Sequence, residues 1–414
     1  MYKSHIFFIL ITLLFLSLPS YAKITNQDKE IARKNPNSKF AIGVTSNSNY
    51  ILEKEDVDFV FQNTDSSISQ IIASKKDFII DEKSISFARG NIESSLSEGI
   101  TSNENYKISD EDKKLAINNP NSAFTVGILS NKDFRATESD KQFARNNIET
   151  QYSRLIAQES SYTIEEVDIK IASENPNSKF TVGLTLNPNF KITKKIKETV
   201  KKNMDTIYAS HLGEKIDFPI DEADKDFARK NANSIFAAAL ARNINYKVTE
   251  KDKEIVYKDS TCKFAENVVV NKNYYINIKD KELARNYPNT RLSTRLANND
   301  NYKVDEEDKK TAKKYITSLF SLGITQNPSY KINTEDKKTA RENPNSNFAK
   351  GLAINSNYKV ELKDKELARN FPYSEFTSSI TVNPSYTIDE EDRKAARNSI
   401  DSIFALQVAR NSGY

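Results

Sequence analysis

The sequence predicts an all-α fold, an αα-hairpin repeat solenoid of fourteen 28-residue units. The first sign is the period, because steps of 28 residues back from Tyr414 meet an aromatic residue each time, as far as Tyr50. The second is the apolar spacing at unit positions 14, 18 and 22, which places these side chains on one face of a helix. The third is the return of helix-ending residues at fixed positions. A parallel β-solenoid is the alternative, and the Asn-Pro pairs and the helical spacing count against it.

One solenoid is predicted to span residues 23–414, with unit position 1 at Lys23. Positions 2, 10, 18 and 22 are apolar in every copy, as in Ile24, Ala32 and Phe40, so they are expected to form the core. Only 37% of the chain is apolar, which fits the thin core of a stack one repeat thick. The predicted units start at 23, 51, 79, 107, 135, 163, 191, 219, 247, 275, 303, 331, 359 and 387.

Each unit is predicted to hold two helices. An acceptor at position 3, such as Thr25, and an acid at position 6, such as Asp28, resemble a capping box and place helix A at about positions 4–12. Position 13 is usually Asn and is followed by Pro in six copies, as in Asn35-Pro36, which predicts that helix B starts at about position 14. Asn at position 25, such as Asn47, is expected to end helix B in the left-handed conformation.

Gly recurs at position 21, inside helix B, in six copies that include Gly43 and Gly127. Because Gly costs a helix roughly 1 kcal/mol relative to Ala, its return predicts a close approach of backbones beside the small residues at positions 10 and 19. The stacked hairpins are expected to form an elongated rod with a contour on the order of 120–140 Å. This architecture resembles the broad class that includes tetratricopeptide and Sel1-type repeats, although the unit is shorter and has no Trp.

The N-terminal residues, Met1–Ala22, have the pattern of a cleaved signal peptide. Lys3 precedes an apolar run at 6–18, and Ser20-Tyr21-Ala22 supplies the small residues of a cleavage site. The apolar run is shorter than the roughly 20 residues that a membrane-spanning helix needs. We therefore expect export to the periplasm, the cell surface or the medium of a bacterium, with no transmembrane segment after cleavage.

Composition argues against several kinds of chemistry. The mature chain would carry a net charge of +3, Cys262 is the only cysteine and His211 is the only histidine after cleavage. An intramolecular disulfide is therefore excluded, and so is chemistry that needs two histidines. Asp at position 6 and Ser or Thr at position 16 recur in nearly every unit, whereas an active site is needed once, so they are expected to cap helices. We predict no enzymatic activity, no cofactor, no metal site and no small-molecule substrate.

Basic residues recur along helix A. Position 7 is Lys or Arg in eleven copies and position 11 is Arg in eight, as in Lys29 and Arg33, so the two positions would form a basic stripe. One interpretation is a groove for nucleic acid. The favoured one is a solvated face whose field is cancelled by nearby acids such as Glu30.

Positions 17, 20, 21 and 24 of helix B change character between copies, so partner choice is expected to lie there. Repeats 2, 7 and 10 diverge most, and one sequence leaves open whether they form sites or reflect drift. The candidate partner-binding residues are Ile207, His211, Lys215, Arg291 and Arg295.

These observations predict an exported, non-enzymatic repeat scaffold that binds another protein through an extended surface. A self-assembling structural or surface protein is the alternative, since the first and last units carry no distinct caps and their end faces would stack head to tail. Nucleic-acid binding through the repeated Arg and Lys positions is a third hypothesis.

Overall fold

Residues 24–414 are described by a computed structural model, and this part of the chain is helical throughout, with twenty-eight helices in fourteen consecutive pairs. The fold class predicted from the period is confirmed. Helix A of each repeat is, in order, α1 (Asn26–Lys34), α3 (Lys54–Gln62), α5 (Glu82–Gly90), α7 (Asp110–Asn118), α9 (Glu138–Asn146), α11 (Glu166–Glu174), α13 (Lys194–Lys202), α15 (Glu222–Lys230), α17 (Glu250–Lys258), α19 (Ile278–Asn286), α21 (Glu306–Lys314), α23 (Thr334–Glu342), α25 (Leu362–Asn370) and α27 (Glu390–Asn398). Helix B is α2 (Lys39–Ser46), α4 (Ser67–Ala73), α6 (Ser95–Ser102), α8 (Ala123–Ser130), α10 (Gln151–Gln158), α12 (Lys179–Leu186), α14 (Ile207–Glu214), α16 (Ile235–Arg242), α18 (Lys263–Val268), α20 (Arg291–Ala297), α22 (Leu319–Gln326), α24 (Asn347–Ile354), α26 (Glu375–Ile380) and α28 (Ile403–Arg410). The predicted signal peptide lies outside the described residues.

Helix A occupies positions 4–12 as predicted, and a capping box sets its start. The Asp28 backbone N donates to Thr25 Oγ1 at 3.3 Å, and the Thr25 backbone N donates back to Asp28 Oδ2 at 2.8 Å. Asp replaces the usual Glu of this motif, and its shorter side chain still reaches the amide.

Helix B starts three residues later than predicted, at position 17. The residue at position 16 is its N-cap: Ser38 Oγ accepts from the Ala41 backbone N at 3.1 Å. Positions 14 and 15 form a turn, and the N-cap side chain follows that turn at position 16. Cys262 takes the same place in repeat 9, with Sγ 3.4 Å from the Ala265 backbone N. The capping role expected for position 16 is therefore confirmed.

The predicted left-handed closure of helix B at position 25 is wrong. Asn103 has extended φ and ψ of −61° and 136°, and no residue from 24 to 414 has a positive φ. Its side chain caps the preceding repeat instead, since Nδ2 donates to Ala73 O and Lys75 O, both at 2.7 Å. Asn at this position therefore links consecutive repeats through an amide ladder rather than ending its own helix by backbone strain.

The predicted elongated rod is wrong, because the last repeat packs against the first. The Phe40 backbone N donates to Ile400 O at 2.8 Å, and the Asn47 side chain donates to Ala409 O at 2.9 Å. The same two bonds join other neighbours, for example Leu96 N to Thr64 O at 2.9 Å. Because contacts of the same kind join consecutive repeats and also join the last repeat to the first, the fourteen repeats form a closed ring, with an average rotation of about 26° per repeat.

Ring closure affects the self-assembly hypothesis. The two end faces that were expected to stack head to tail contact each other within one chain, so stacking would first require the ring to open. Composition and periodicity do not predict ring closure. The rotation per repeat depends on the difference between the helix spacing in the A layer and the helix spacing in the B layer, and that difference is set by packing.

Helix B forms the inner layer of the ring. A Cβ added to Gly127 would lie 1.9 Å from Thr101 Oγ1 and 2.6 Å from Glu98 O of the preceding repeat, so these helices nearly touch. Neighbouring A helices are instead bridged by long side chains, as from Arg89 to Asp112. Both layers contain fourteen helices, so the layer whose helices lie closer together, the B layer, has the shorter circumference and is the inner one.

The close approach predicted for Gly at position 21 is confirmed, but its partner differs from the prediction. The glycine meets positions 20 and 23 of the preceding helix B, not positions 10 and 19 of its own hairpin. Consecutive B helices lie further apart where the side chain at position 21 is large, namely at Ile71, Leu155, His211, Arg295 and Gln407.

Within residues 24–414, no helix is both long and apolar enough to span a bilayer.

Candidate binding surface on the inner wall

A buried Arg–Asp–Tyr network joins consecutive repeats on the helix A side. In the contact between repeats 3 and 4, Arg89 Nε and the Tyr106 hydroxyl donate to Asp112 Oδ1 at 2.8 and 3.0 Å. Burial favours a higher pKa for Asp112, but the hydrogen bonds from Arg89, Ser109 and Tyr106 outweigh it and hold the pKa below its usual value. The carboxylate is therefore charged and fully satisfied at neutral pH.

This network accounts for the predicted basic stripe. Arg33 at position 11 donates to Asp56 of the next repeat at 2.7 Å, and Lys29 at position 7 donates to Ile51 O of the next repeat at 2.6 Å. The acid that neutralises the arginine is thus the next repeat's Asp at position 6, not Glu30 of the same helix. All eight Arg at position 11 and six of the eleven basic residues at position 7 bridge to the next repeat, so most of the predicted stripe takes part in contacts between repeats.

Two contacts between repeats lack the network completely. Between repeats 2 and 3, Arg, Asp and Tyr are replaced by Phe61, Ser84 and Phe78; between repeats 6 and 7, they are replaced by Ser173, Ile196 and Phe190. At the contact between repeats 4 and 5, only the Arg and the Tyr are lost: Asp140 stays buried, and the hydroxyl of Tyr152 in its own repeat donates to it instead. A buried Asp without any such donor would be an unpaired charge, and Ile196 leaves no carboxylate to satisfy in repeat 7.

A surface groove lies over each of these two contacts. The groove between repeats 6 and 7 has a volume of about 580 Å³ and an apolar floor made by Ile164, Ile169 and Ile196. The groove between repeats 2 and 3 measures about 480 Å³ and includes Val57 and Phe61. Val57 and Ile169 stand at position 7, where Lys or Arg usually bridges to the next repeat, so the missing bridge leaves the groove open.

The outer wall, which we define as positions 4, 5, 8 and 12 of helix A, is uniformly polar. It carries twenty-two acidic and seventeen basic side chains, a net charge of −5. Its large aliphatic residues are only three, Val167, Ile278 and Leu362. This composition is that of a solvated surface.

The inner wall, which we define as positions 17, 20, 21 and 24 of helix B, has the opposite character. Its net charge is +5, from the nine basic residues Lys39, Arg154, Lys179, Arg242, Lys263, Arg291, Arg295, Lys350 and Arg410 and the four acidic residues Glu98, Glu214, Glu266 and Glu375. It also holds fifteen large aliphatic residues, Ile42, Ile71, Val126, Leu155, Val182, Leu186, Ile207, Ile235, Val270, Leu319, Leu322, Ile354, Val382, Ile403 and Leu406. Position 24 is mostly exposed, and positions 17 and 20 are mostly half-buried, so these side chains line the opening of the ring.

The opening is wide enough for a polypeptide. Fourteen B helices at spacings of about 8–10 Å give a circumference on the order of 110–140 Å. Subtracting a helix thickness of about 10–12 Å from the resulting diameter leaves a passage roughly 25–35 Å across.

Four of the five predicted partner-binding residues lie on the inner wall. Ile207 is 43% exposed and Arg291 is exposed. His211 Nδ1 lies 2.8 Å from Thr185 Oγ1, and burial lowers the pKa of His211, so its ring is neutral at pH 7. Lys215 belongs elsewhere, because its Nζ lies 3.3 Å from Asn187 O and replaces an amide of the ladder.

Arg295 is half-buried in a basic part of the inner wall. Its Nη1 donates to Glu266 O and Asn267 Oδ1, both at 2.7 Å. Burial lowers the pKa of Arg295, and the positive charges of Arg242 and Arg291 lower it further. Three arginines of repeats 8 and 10 therefore lie near one another.

Sequence reasoning missed Arg242 and Lys263 as members of this group, although both stand at variable helix B positions. It also missed the Arg–Asp–Tyr network, whose signal is the joint loss of all three residue types at the same two contacts. Cys262 is buried, and burial raises the pKa of its thiol, so it is a protonated helix cap. In residues 24–414, no three His, Cys, Asp or Glu side chains are arranged to hold a metal ion.

No family model, curated protein or solved structure matches this chain.

Proposed function

We propose that this protein is an exported, non-enzymatic ring scaffold that binds another protein at its inner wall. The observation that carries the proposal is the contrast between the two walls. The outer wall has three large aliphatic side chains among its four positions, and the inner wall has fifteen. Ten of the fifteen are half-buried between neighbouring helices, and the other five, Leu186, Ile207, Val270, Ile354 and Val382, are exposed. Packing between helices does not explain these five exposed side chains on one wall.

Variation along the inner wall also supports binding. The buried positions and the bridging positions keep their chemistry from repeat to repeat, whereas positions 17, 20, 21 and 24 do not. A surface that varies from repeat to repeat and yet is rich in aliphatic residues is typical of a protein interface. The closed ring holds these side chains on a fixed frame, which lowers the ordering cost of binding.

Export rests on the residues before the ring. The charged start, the apolar run and the small residues that end at Ala22 support secretion, so the partner would be a periplasmic, cell-surface or secreted protein.

Affinity capture from the native host with matched variants tests the proposal. Ile207→Glu alters the inner wall and Val167→Glu alters the outer wall; both residues are 43% exposed and both stand in the first turn of a helix, where Glu is tolerated. We expect wild-type and Val167→Glu rings to retain the same partner and the Ile207→Glu ring to lose it. Equal retention by all three rings would contradict the proposal.

A further inference from the structure

We propose that the occupant of the ring is an acidic polypeptide segment that carries aliphatic side chains. This inference rests on the proposed function and adds the chemistry of the partner. It starts from the separation of charge between the walls, +5 inside and −5 outside, which the net charge of the whole chain conceals. A concave surface of one sign concentrates ligands of the opposite sign.

The positive charge is densest in repeats 8–10. Arg242, Lys263, Arg291 and Arg295 project from three consecutive B helices. Arg242 pairs with Glu214, and Arg295 is held by Glu266 O and Asn267. Lys263 and Arg291 are exposed and form no ion pair with any described residue, so they are free to meet carboxylates.

Apolar sites accompany these charges around the wall. Between repeats 13 and 14, where Gln407 separates the B helices, a groove of about 600 Å³ is lined by Val382, Ile403, Leu406 and Arg410. In a segment with neighbouring aliphatic and acidic side chains, the aliphatic one would fill the groove while the acidic one pairs with the exposed guanidinium of Arg410.

The residue types of the inner wall favour polypeptide over nucleic acid. Positions 17, 20, 21 and 24 contain no Phe, Tyr or Trp in any repeat. Single-stranded nucleic acid is held by aromatic side chains that stack on bases, and double-stranded nucleic acid by a polar basic surface. Aliphatic residues between the basic ones suit the side chains of a protein.

Fluorescence anisotropy with labelled synthetic 20-residue peptides tests the inference. The probes are an alternating Glu-Leu peptide, the matching Gln-Leu and Lys-Leu peptides, and a single-stranded oligonucleotide. We expect the Glu-Leu peptide to bind the mature ring more tightly than the other three probes. We also expect its binding to weaken as salt is raised, because the attraction is partly electrostatic.

A matched pair of double variants locates the site. Lys263→Glu with Arg291→Glu reverses two inner charges, and Lys251→Glu with Lys279→Glu reverses two outer charges in the same repeats. All four residues are exposed and lie in the first turn of a helix, and circular dichroism checks that both variants fold. We expect the inner variant to weaken Glu-Leu binding by about tenfold or more and the outer variant by less than about twofold.

Three outcomes would overturn the inference: equal weakening by the two variants, equal binding of the Glu-Leu and Lys-Leu peptides, or binding of the oligonucleotide alone. If no peptide binds while Ile207→Glu still abolishes protein capture, the acidic partner is wrong and the proposed function stands. If capture is indifferent to Ile207→Glu, the proposed function fails whatever the peptides do.

Discussion

Arg397 Nε, in the last repeat, donates a 2.7 Å hydrogen bond to Asp28 Oδ1, in the first. The hydroxyl of Tyr414 donates to the same oxygen at 2.8 Å. This is the Arg–Asp–Tyr network that joins repeats 3 and 4, made by residues 369 and 386 positions apart in the chain. The chain thus uses one interface chemistry both to continue the solenoid and to close it.

We therefore predict that the closing contact is as sensitive to substitution as an internal one. Asp28→Ala leaves Arg397 and Tyr414 without their acceptor and should cost about 3 kcal/mol. Asp112→Ala, between repeats 3 and 4, is the matched internal change and should cost a similar amount. Urea denaturation compares the two variants.

Hydrogen exchange then distinguishes a ring from an open solenoid. In the Asp28→Ala ring, faster exchange should appear in repeats 1 and 14 together. Wild-type stability and unchanged exchange in repeat 14 would show that the two repeats are not in contact in solution.

Acid should weaken these contacts. Burial pushes the pKa of Asp28 up, but hydrogen bonds from Arg397, Thr25 and Tyr414 outweigh it, so the pKa lies below the ordinary 3.8. At the contact between repeats 10 and 11, burial likewise opposes the Lys281 hydrogen bond, and the pKa of Asp305 is lowered to about 2. A folded pKa below the unfolded value means that each carboxylate stabilises the fold above about pH 4.

The expected result is a melting temperature that is level from pH 7 to about pH 5 and falls as the pH drops from about 4 towards 2. Calorimetry across this range measures it. The same melting temperature at pH 7 and pH 2.5 would contradict the role given to these carboxylates.

The sequence was sufficient for the period, the two helices of each unit and the buried positions, because these depend on local patterns. It was not sufficient for ring closure, since the rotation per repeat is set by contacts between neighbours, such as that of Gly127 with Glu98. Asn103 is a second example. Its residue type is typical of a left-handed helix cap, but its side-chain amide instead donates to a carbonyl of the preceding repeat, which the sequence alone does not place next to it.

For the candidate surface, the variable positions of helix B were recognised from the sequence, and four of the five residues named there line the ring. Lys215 lies off the inner wall, because its Nζ meets Asn187 O, an acceptor that only the stacking of repeats brings within reach. The opposite charge of the two walls could not be read before the inner helix was known.

Two glycines should respond oppositely to the same substitution. Gly90, at the end of α5, has no atom within 4 Å of an added Cβ, so Gly90→Ala should stabilise by about 0.5–1 kcal/mol. Gly127 faces Glu98 O at 2.6 Å, so Gly127→Ala should push two B helices apart and cost about 1–3 kcal/mol. Thermal unfolding of the two variants is the measurement, and a stabilised Gly127→Ala protein would contradict the tight inner layer.

The contact between repeats 6 and 7 allows the Arg–Asp–Tyr network to be tested as a unit. Ile196 is 2% exposed, and Ile196→Asp alone would bury a carboxylate where Ser173 and Phe190 replace the Arg and the Tyr, so no guanidinium pairs with it. The hydroxyl of Tyr208 could donate to it, as that of Tyr152 does to Asp140, but it carries no positive charge. We expect it to cost about 3–5 kcal/mol. Adding Ser173→Arg and Phe190→Tyr restores both partners and should recover most of that loss, as urea denaturation of the single and triple variants would show. If Ile196→Asp left the free energy of unfolding unchanged, water would have to reach this carboxylate through the groove. If the triple variant were no more stable than the single one, the network would not act as a unit.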